Sequence, residues 1–272
     1  MKSLRLQGVV AAVAVTSTAS LGVAFTARPT AAAAPAGFSV SNASIAEGDT
    51  GAFRTLSLTV VLDAAQPGLT TVDYATAAGT AGTSDYGIKT GTLKFKAGFT
   101  TQYIALKILP DTNIEGDEAF VVNLTNAVGA GIDDGQGTVT ILEDDDTGLI
   151  GNRLAVGDVS IANGDTGTKP IVGRIAVTLA QPAASDVTVE LASADVSAAV
   201  GTDYKNLAGL YGLPKKVKFR TGQYSKFVAF TIYRDTVDEA NETFTIYVVN
   251  VTGAQIQNQR DTGIVTIVDD DN

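Results

Sequence analysis

Cysteine and histidine are both missing from the 272 residues, and each absence removes a class of chemistry. Without cysteine no disulfide can staple an exported protein, so its stability must come from elsewhere. Without histidine there is no imidazole base and no Ser-His-Asp triad, and with cysteine also gone no site that needs either residue for zinc. Hard metals held by oxygen remain open. Basic charge is scarce as well: 19 Lys and Arg stand against 29 Asp and Glu, a formal charge of −10. A chain of that sign is a poor partner for nucleic acid or an anionic membrane surface, and suits cations. No nucleophile motif, phosphate loop or cofactor fingerprint occurs. GTAGTSDY (79–86) bears glycine but lies between strands, with no helix after it to receive a phosphate.

Long apolar runs are confined to the start of the chain. Lys2 and Arg5 form a basic region, an apolar stretch follows to about Phe25, and an Ala-rich tract offers an A-x-A cleavage site at Ala31 and Ala33. Residues 1–35 therefore read as a signal peptide and leader, the rival reading being a single membrane anchor. Both readings imply export, and the expected location is secreted or at the cell surface. Cleavage would remove three basic residues and no acid, leaving 16 basic residues against 29 acidic ones, a charge of −13. No later stretch is long and apolar enough to span a bilayer.

Beyond the leader, the chain is one unit written twice. SIAEGDTG (44–51) returns as SIANGDTG (160–167), the stretch from SDYGIKTG to VVNLTN returns in TDYKNLAG to YVVN, and TVTILEDDD (138–146) returns as IVTIVDDD (264–271). The spacing drifts through loop insertions, as in a duplicated domain rather than a short solenoid repeat. Two domains are expected, 36–147 and 154–272, joined at 148–153. Within TQYIALKIL, Ile104, Leu106 and Ile108 share one face, and the second repeat keeps that phase with Val228, Phe230 and Ile232. Phe120, Val122 and Leu124 alternate likewise, matched by Phe244, Ile246 and Val248. Such alternation, with turn residues between short runs, predicts an all-β fold of two Greek-key β-sandwiches with about seven strands each.

The acids fall after the odd-numbered strands. In the first repeat they follow strand A (Glu47, Asp49), strand C (Asp85), strand E (Asp111, Glu115, Asp117, Glu118) and strand G (Glu143, Asp144, Asp145, Asp146). If strands alternate up and down, all four sets reach the same pole. The second repeat supplies Asp165, Asp203, Asp235, Asp238, Glu239, Glu242, Asp269, Asp270 and Asp271, with Asn163 in the place of Glu47. Packed carboxylates repel, by about 4 kcal/mol per pair at 4 Å with an effective dielectric near 20. A pole with so many oxygens suits Ca²⁺, which takes six to eight oxygen ligands from flexible loops, better than Mg²⁺, which keeps its waters. The plainer alternative is a set of solvated acidic loops that needs no metal.

The same stretches, VSNASIAEGDTG, GTAGTSDY, TGTLKFKAGFTTQYIALKILPDTNIEGDEAFVVNL and TVTILEDDD, resemble the Calx-beta domain over nearly all of 38–146 and more loosely over 154–271. The resemblance implies an immunoglobulin-like sandwich binding several Ca²⁺ ions at one pole. Its ligands would be Glu47, Asp85, Asp111, Glu115, Glu118, Glu143, Asp144 and Asp145 in the first repeat. In the second they would be Asp203, Asp235, Glu239, Glu242, Asp269, Asp270 and Asp271. Pro110 and Arg234 stand where calcium-rich members place another Asp, and Arg234, by taking the place of a cation, implies fewer or weaker ions in the second repeat. In a head-to-tail tandem, Asp144 to Asp146 would let an ion stiffen the joint, and the second pole would lie free at the far end. The function expected is a secreted calcium-binding module of structural or adhesive kind, with a cell-surface or matrix protein as the class of partner. The alternatives are a metal-independent spacer and, least favoured, a glycosidase using paired carboxylates. A glycosidase would need a cleft that keeps one carboxyl protonated, whereas these acids sit side by side on loops, so no catalysis is expected.

Overall fold

The computed structural model describes residues 36–145, 152–165, 169–208, 212–257 and 260–271. The leader and most of the joint between the repeats lie outside the described residues. The first repeat forms β1 (Gly37–Val40), β2 (Asn42–Ala46), β3 (Arg54–Leu62), β4 (Thr70–Ala78), β5 (Thr90–Phe95), β6 (Thr101–Ile108), β7 (Glu118–Val128), β8 (Gly131–Asp134) and β9 (Gln136–Leu142). The second forms β10 (Arg153–Val156), β11 (Val159–Ala162), β12 (Ile171–Leu179), β13 (Val187–Asp195), β14 (Tyr204–Lys205), β15 (Lys215–Phe219), β16 (Ser225–Ile232), β17 (Glu242–Thr252), β18 (Gln255–Ile256) and β19 (Thr262–Val268). Among the described residues no helix is long and apolar enough to cross a membrane.

Seven strands is the right count for the first repeat once its first and last are seen to be split, and the second has one more, the two-residue β14. Strand A begins as β1 beside β3 and continues as β2 beside β9, changing sheet at Ser41. The hydroxyl of Ser41 accepts the Thr59 amide at 3.0 Å, which fixes the crossing. Alternation then builds the core as expected. Ile104, Leu106 and Ile108 from β6 are buried, as are Phe120 and Val122 from β7, while Ala105 and Lys107 face solvent. Each fully buried Phe or Leu contributes roughly 1.5–3 kcal/mol. Tyr86, next to Asp85, lies under the loop with its ring stacked on Phe120 at 3.9 Å. Tyr204 repeats this on Phe244 at 3.8 Å.

The two repeats do not sit head to tail, and this corrects the expectation from sequence. One ten-stranded sheet runs through both, in the order β15-β13-β17-β19-β11-β2-β9-β7-β4-β5. Its seam is an antiparallel pairing of β2 with β11, Ala43 opposite Val159 and Asn42 opposite Ser160. The Ser44 amide donates to the Asp158 carbonyl at 2.9 Å, and the Asp158 amide to the Ser44 hydroxyl at 2.7 Å. Because β2 and β11 are equivalent strands, an antiparallel seam relates the repeats by an approximate two-fold axis and sends their acidic poles to opposite ends. The physical reason is the edge: each strand alone would expose a row of unpaired amides and carbonyls, and pairing them closes both edges together. A four-stranded sheet, β6-β3-β1-β8, covers the first half of this long sheet, and a five-stranded one, β14-β16-β12-β10-β18, covers the second.

Two guanidinium groups clasp the seam from either side. Arg54, fully buried, donates to the carbonyls of Ala180 at 2.6 Å and Leu179 at 3.3 Å across the seam. Within its own repeat it donates to Thr50 at 2.8 Å and Ala52 at 3.1 Å. Arg234 answers from the second repeat, donating to the carbonyls of Asp63 and Leu62, which are the positions equivalent to Ala180 and Leu179. The arginines come from different places in the repeat, one opening β3 and the other following β16, yet they fill the same slot. A Cβ on Gly48 would lie 1.9 Å from the Arg54 guanidinium, and a Cβ on Gly164 would lie 2.4 Å from that of Arg234. Both glycines also have positive φ, +82° and +67°, so the GDTG loop needs glycine there for conformation and for room.

Candidate metal centre

At the end of the first repeat, four chain segments deliver carboxylates to one place. The loop after β2 supplies Glu47, the loop between β4 and β5 supplies Asp85, the approach to β7 supplies Asp111, Glu115 and Glu118, and the end of β9 supplies Glu143 and Asp145. Glu47, Glu143 and Asp145 each place a carboxylate oxygen within 4.8 Å of the others, and so do Asp85, Glu115 and Glu118. Asp111 adds its charge to both sets, acting on Glu47 and Asp145 as well as on Glu118.

Backbone amides hold these groups in position. The Asp85 carboxylate accepts the Gly82 amide at 2.6 Å, and Asp111 accepts that of Asn113 at 2.7 Å. Glu143 accepts the amides of Glu115 and Asp145, so it ties the loop before β7 to the end of β9. Asp144 behaves differently from its neighbours. It is 1% exposed and turns its carboxylate onto the Gly48 amide at 2.7 Å, while its carbonyl accepts from Arg153. It closes the GDTG loop and belongs to neither three-carboxylate set. Side chains two apart on an extended strand share a face, which separates Glu143 and Asp145 from Asp144.

Crowding and burial show in the proton affinities. Burial pushes Glu47 up to about 8, with the charges of Asp111, Asp144, Glu143 and Asp145 adding to it. Burial, then Asp144 and Asp49, push Asp145 up to about 7. Asp144 is raised to about 6 by burial, held back by the Gly48 amide. The Asp145 Oδ2 atom is buried without a hydrogen-bond partner. A set of buried, mutually repelling oxygens with one left unsatisfied fits a hard cation, which would replace the missing protons and donors at once.

The second repeat keeps the framework with less charge. Asn163, Asp203, Asp235, Glu239, Glu242 and Asp269 line one pocket. Asp270 copies Asp144, accepting the Gly164 amide at 2.8 Å, and burial raises it to about 6. Asp271 is raised to about 6 by burial and then by Asp165, Asp269, Asp235 and Asp238. Among the described residues, no three carboxylates of this repeat approach as closely as those in the first. Arg234 does not line the pocket. Its guanidinium leans on Gly164 toward the first repeat, as Arg54 leans on Gly48 toward the second.

Sequence reading missed the basic residues that brace the first pole. Arg153 opens β10 and forms a buried ion pair with Asp49 at 2.7 Å, the two being 4% and 13% exposed. It also bonds Gln257 at 3.1 Å. Arg153 occupies the position of Gly37 in the first repeat, and nothing in either segment marks it as an interface residue. Neither pole is free of the other repeat, since Arg153 and Ala180 reach the first and Asp63 reaches the second.

Comparison with known proteins gives the chain a family. Segments 31–145 and 168–271 match the Calx-beta domain. The crystal structure of CBD12 from CALX1.2 is 20% identical, covering 78% of this chain and 92% of that one with a TM-score of 0.33. The calcium binding domain CBD12 of CALX1.1 is 18% identical over 78% of this chain and 92% of its own, with a TM-score of 0.32. The apo-form Calx CBD1 domain is 23% identical over 41% of this chain and 100% of its own, with a TM-score of 0.37. No curated protein sequence matches. With the two matched segments spanning well over half of its length, the chain belongs to the Calx-beta domain family.

Proposed function

We propose that the protein is a secreted calcium-binding module of structural or adhesive kind. Ca²⁺ would be held by the acidic loops at one pole of each sandwich and would stabilise the fold and the joint between the repeats. The observation carrying this reading is the convergence of Glu47, Glu143 and Asp145, with Asp145 Oδ2 buried and unsatisfied. Asp85, Glu115 and Glu118 form a second set, so the first repeat has room for more than one ion. All of these donors are carboxylate oxygens, the set Ca²⁺ accepts in variable geometry and Mg²⁺ rarely takes in such number. One similar solved structure is described as a calcium binding domain. Bound calcium favours the native state alone, supplying the stability that an exported chain without cysteine lacks.

The protein residues have no catalytic part in this reading; their work is to position oxygens and to brace the loops. Export rests on residues 1–35, and a cell-surface or matrix protein is the partner class such a module would serve. N-terminal sequencing of protein recovered from the culture medium should find a start close to Ala36; a start at Met1 would make the segment an anchor or a retained leader.

Thermal unfolding in excess chelator, in millimolar Mg²⁺ and in millimolar Ca²⁺ tests the metal. A site filled at 100 times its dissociation constant adds about 2.7 kcal/mol, so Ca²⁺ should raise the midpoint by several degrees and Mg²⁺ by much less. Glu115→Ala should remove the part of the rise supplied by the Asp85, Glu115 and Glu118 set. Three identical melts would leave the metal-independent spacer as the better account.

A further inference from the structure

Asn163 stands where the first repeat has Glu47, and its amide oxygen is stranded. The residue is 5% exposed, and Oδ1 is buried with no hydrogen-bond partner. Its orientation follows from its neighbour, because Nδ2 donates to the Asp235 carboxylate at 3.3 Å. Turning the amide over would set oxygen against oxygen. Asn163 lines the same pocket as Asp203, Asp235, Glu239, Glu242 and Asp269, whose carboxylates, when ionised, only accept hydrogen bonds and so offer its oxygen no donor.

We infer that Asn163 is the residue that sets the second pole apart, serving as a neutral oxygen ligand to a single divalent cation in this pocket. The inference rests on the calcium reading and assigns the repeats different strengths. Ca²⁺ takes amide oxygens readily, and its affinity falls as the charge of the ligand set falls. Replacing the Glu47 carboxylate by an amide removes one negative charge from a set of acids that otherwise corresponds position for position in the sequence. Arg234 does not account for the difference, because Arg54 fills the equivalent slot in the first repeat. The chain thus carries two classes of site, and the first pole fills at lower calcium than the second.

Calorimetric titration of the full chain with Ca²⁺ tests this, with Glu118→Gln as the variant that weakens the first pole. Wild type should show two classes, with Glu118→Gln losing the tighter. Asn163→Leu, which keeps the volume and deletes the oxygen, should lose the weaker class and keep the tighter. Asn163→Asp, nearly isosteric, should tighten the weaker class on the order of tenfold by restoring the charge. Weaker-class affinity unchanged in Asn163→Leu would overturn the inference, as would a single wild-type class that Glu118→Gln abolishes. If Asn163→Leu fails to fold, an unmoved affinity in Asn163→Asp overturns it equally. Absence of any binding in wild type would sink the calcium reading itself, whereas binding insensitive to Asn163 would sink only this assignment.

Discussion

Freed of metal, the protein should lose stability as the pH is raised from 5 to 8, by on the order of 3 kcal/mol from Glu47 alone. Glu47 has a folded value of about 8 against an ordinary 4.5. Between those values the native state holds a proton that the unfolded chain has released. Stability therefore falls with rising pH throughout the window and is greatest toward its acid end. Asp145 at about 7 acts in the same sense, and Asp144, Asp270 and Asp271 at about 6 add to the slope at its lower end. The window is unusually clean, because the chain has no histidine or cysteine to titrate within it. Saturating Ca²⁺ should flatten or reverse the slope, since the cation competes with those same protons and binds better as they leave. Denaturant melts of stripped and calcium-loaded protein at pH 5, 6.5 and 8 would show this. A stripped protein equally stable at all three would mean that the carboxylates are neither as buried nor as close as the structure places them.

The origin of that cluster was legible in the sequence because it depends on two local rules. Alternation told which residues of 104–108 and 120–124 face inward, and strand direction told that acids after the odd strands meet at one pole. The same period of two separates Glu143 and Asp145 from Asp144, although three acids in series invite reading them as one set. The packing of the repeats was not legible. Alternation assigns a residue to a face and says nothing of what lies beyond a strand's edge, so β2 gave no sign that its partner would be β11. Nothing in the sequence singles out Arg54 or Arg153, and their partners, Ala180 and Asp49, lie more than a hundred residues away. Arg234 was visible as an oddity, but its direction, toward the carbonyls of the first repeat, depends on a seam that no local pattern records.

Replacing Arg54 should be the most damaging single change in the interface, costing about 3–5 kcal/mol as Arg54→Met. The methionine keeps much of the volume, so the loss reports on the guanidinium and not on a cavity. Four carbonyls, from Thr50, Ala52, Leu179 and Ala180, would lose a donor, and Asp144, buried beside the loop, would lose a favourable charge. Burial turns each loss into a desolvation cost that water cannot repair. Arg54→Lys should recover only part of the stability, because one ammonium cannot span carbonyls on both sides of the seam in the way a planar guanidinium does. Lys216→Ala is the matching control: Lys216 pairs with Glu190 at 3.1 Å but is 68% exposed, and its loss should cost under about 1 kcal/mol. The shape of the melt carries as much information as its midpoint. Beyond the bonds of Arg54, Arg153 and Arg234, the repeats share one apolar core and smaller ties such as Tyr103 to the Val172 carbonyl, Arg174 to Ser57 and Arg260 to Asp117. Wild type should therefore unfold in one transition, whereas Arg54→Met, which removes the most buried tie with its four carbonyl bonds, should broaden or split it. A variant within 1 kcal/mol of wild type that still melts in a single step would show that the shared sheet, core and remaining contacts couple the repeats, with the arginine as filler.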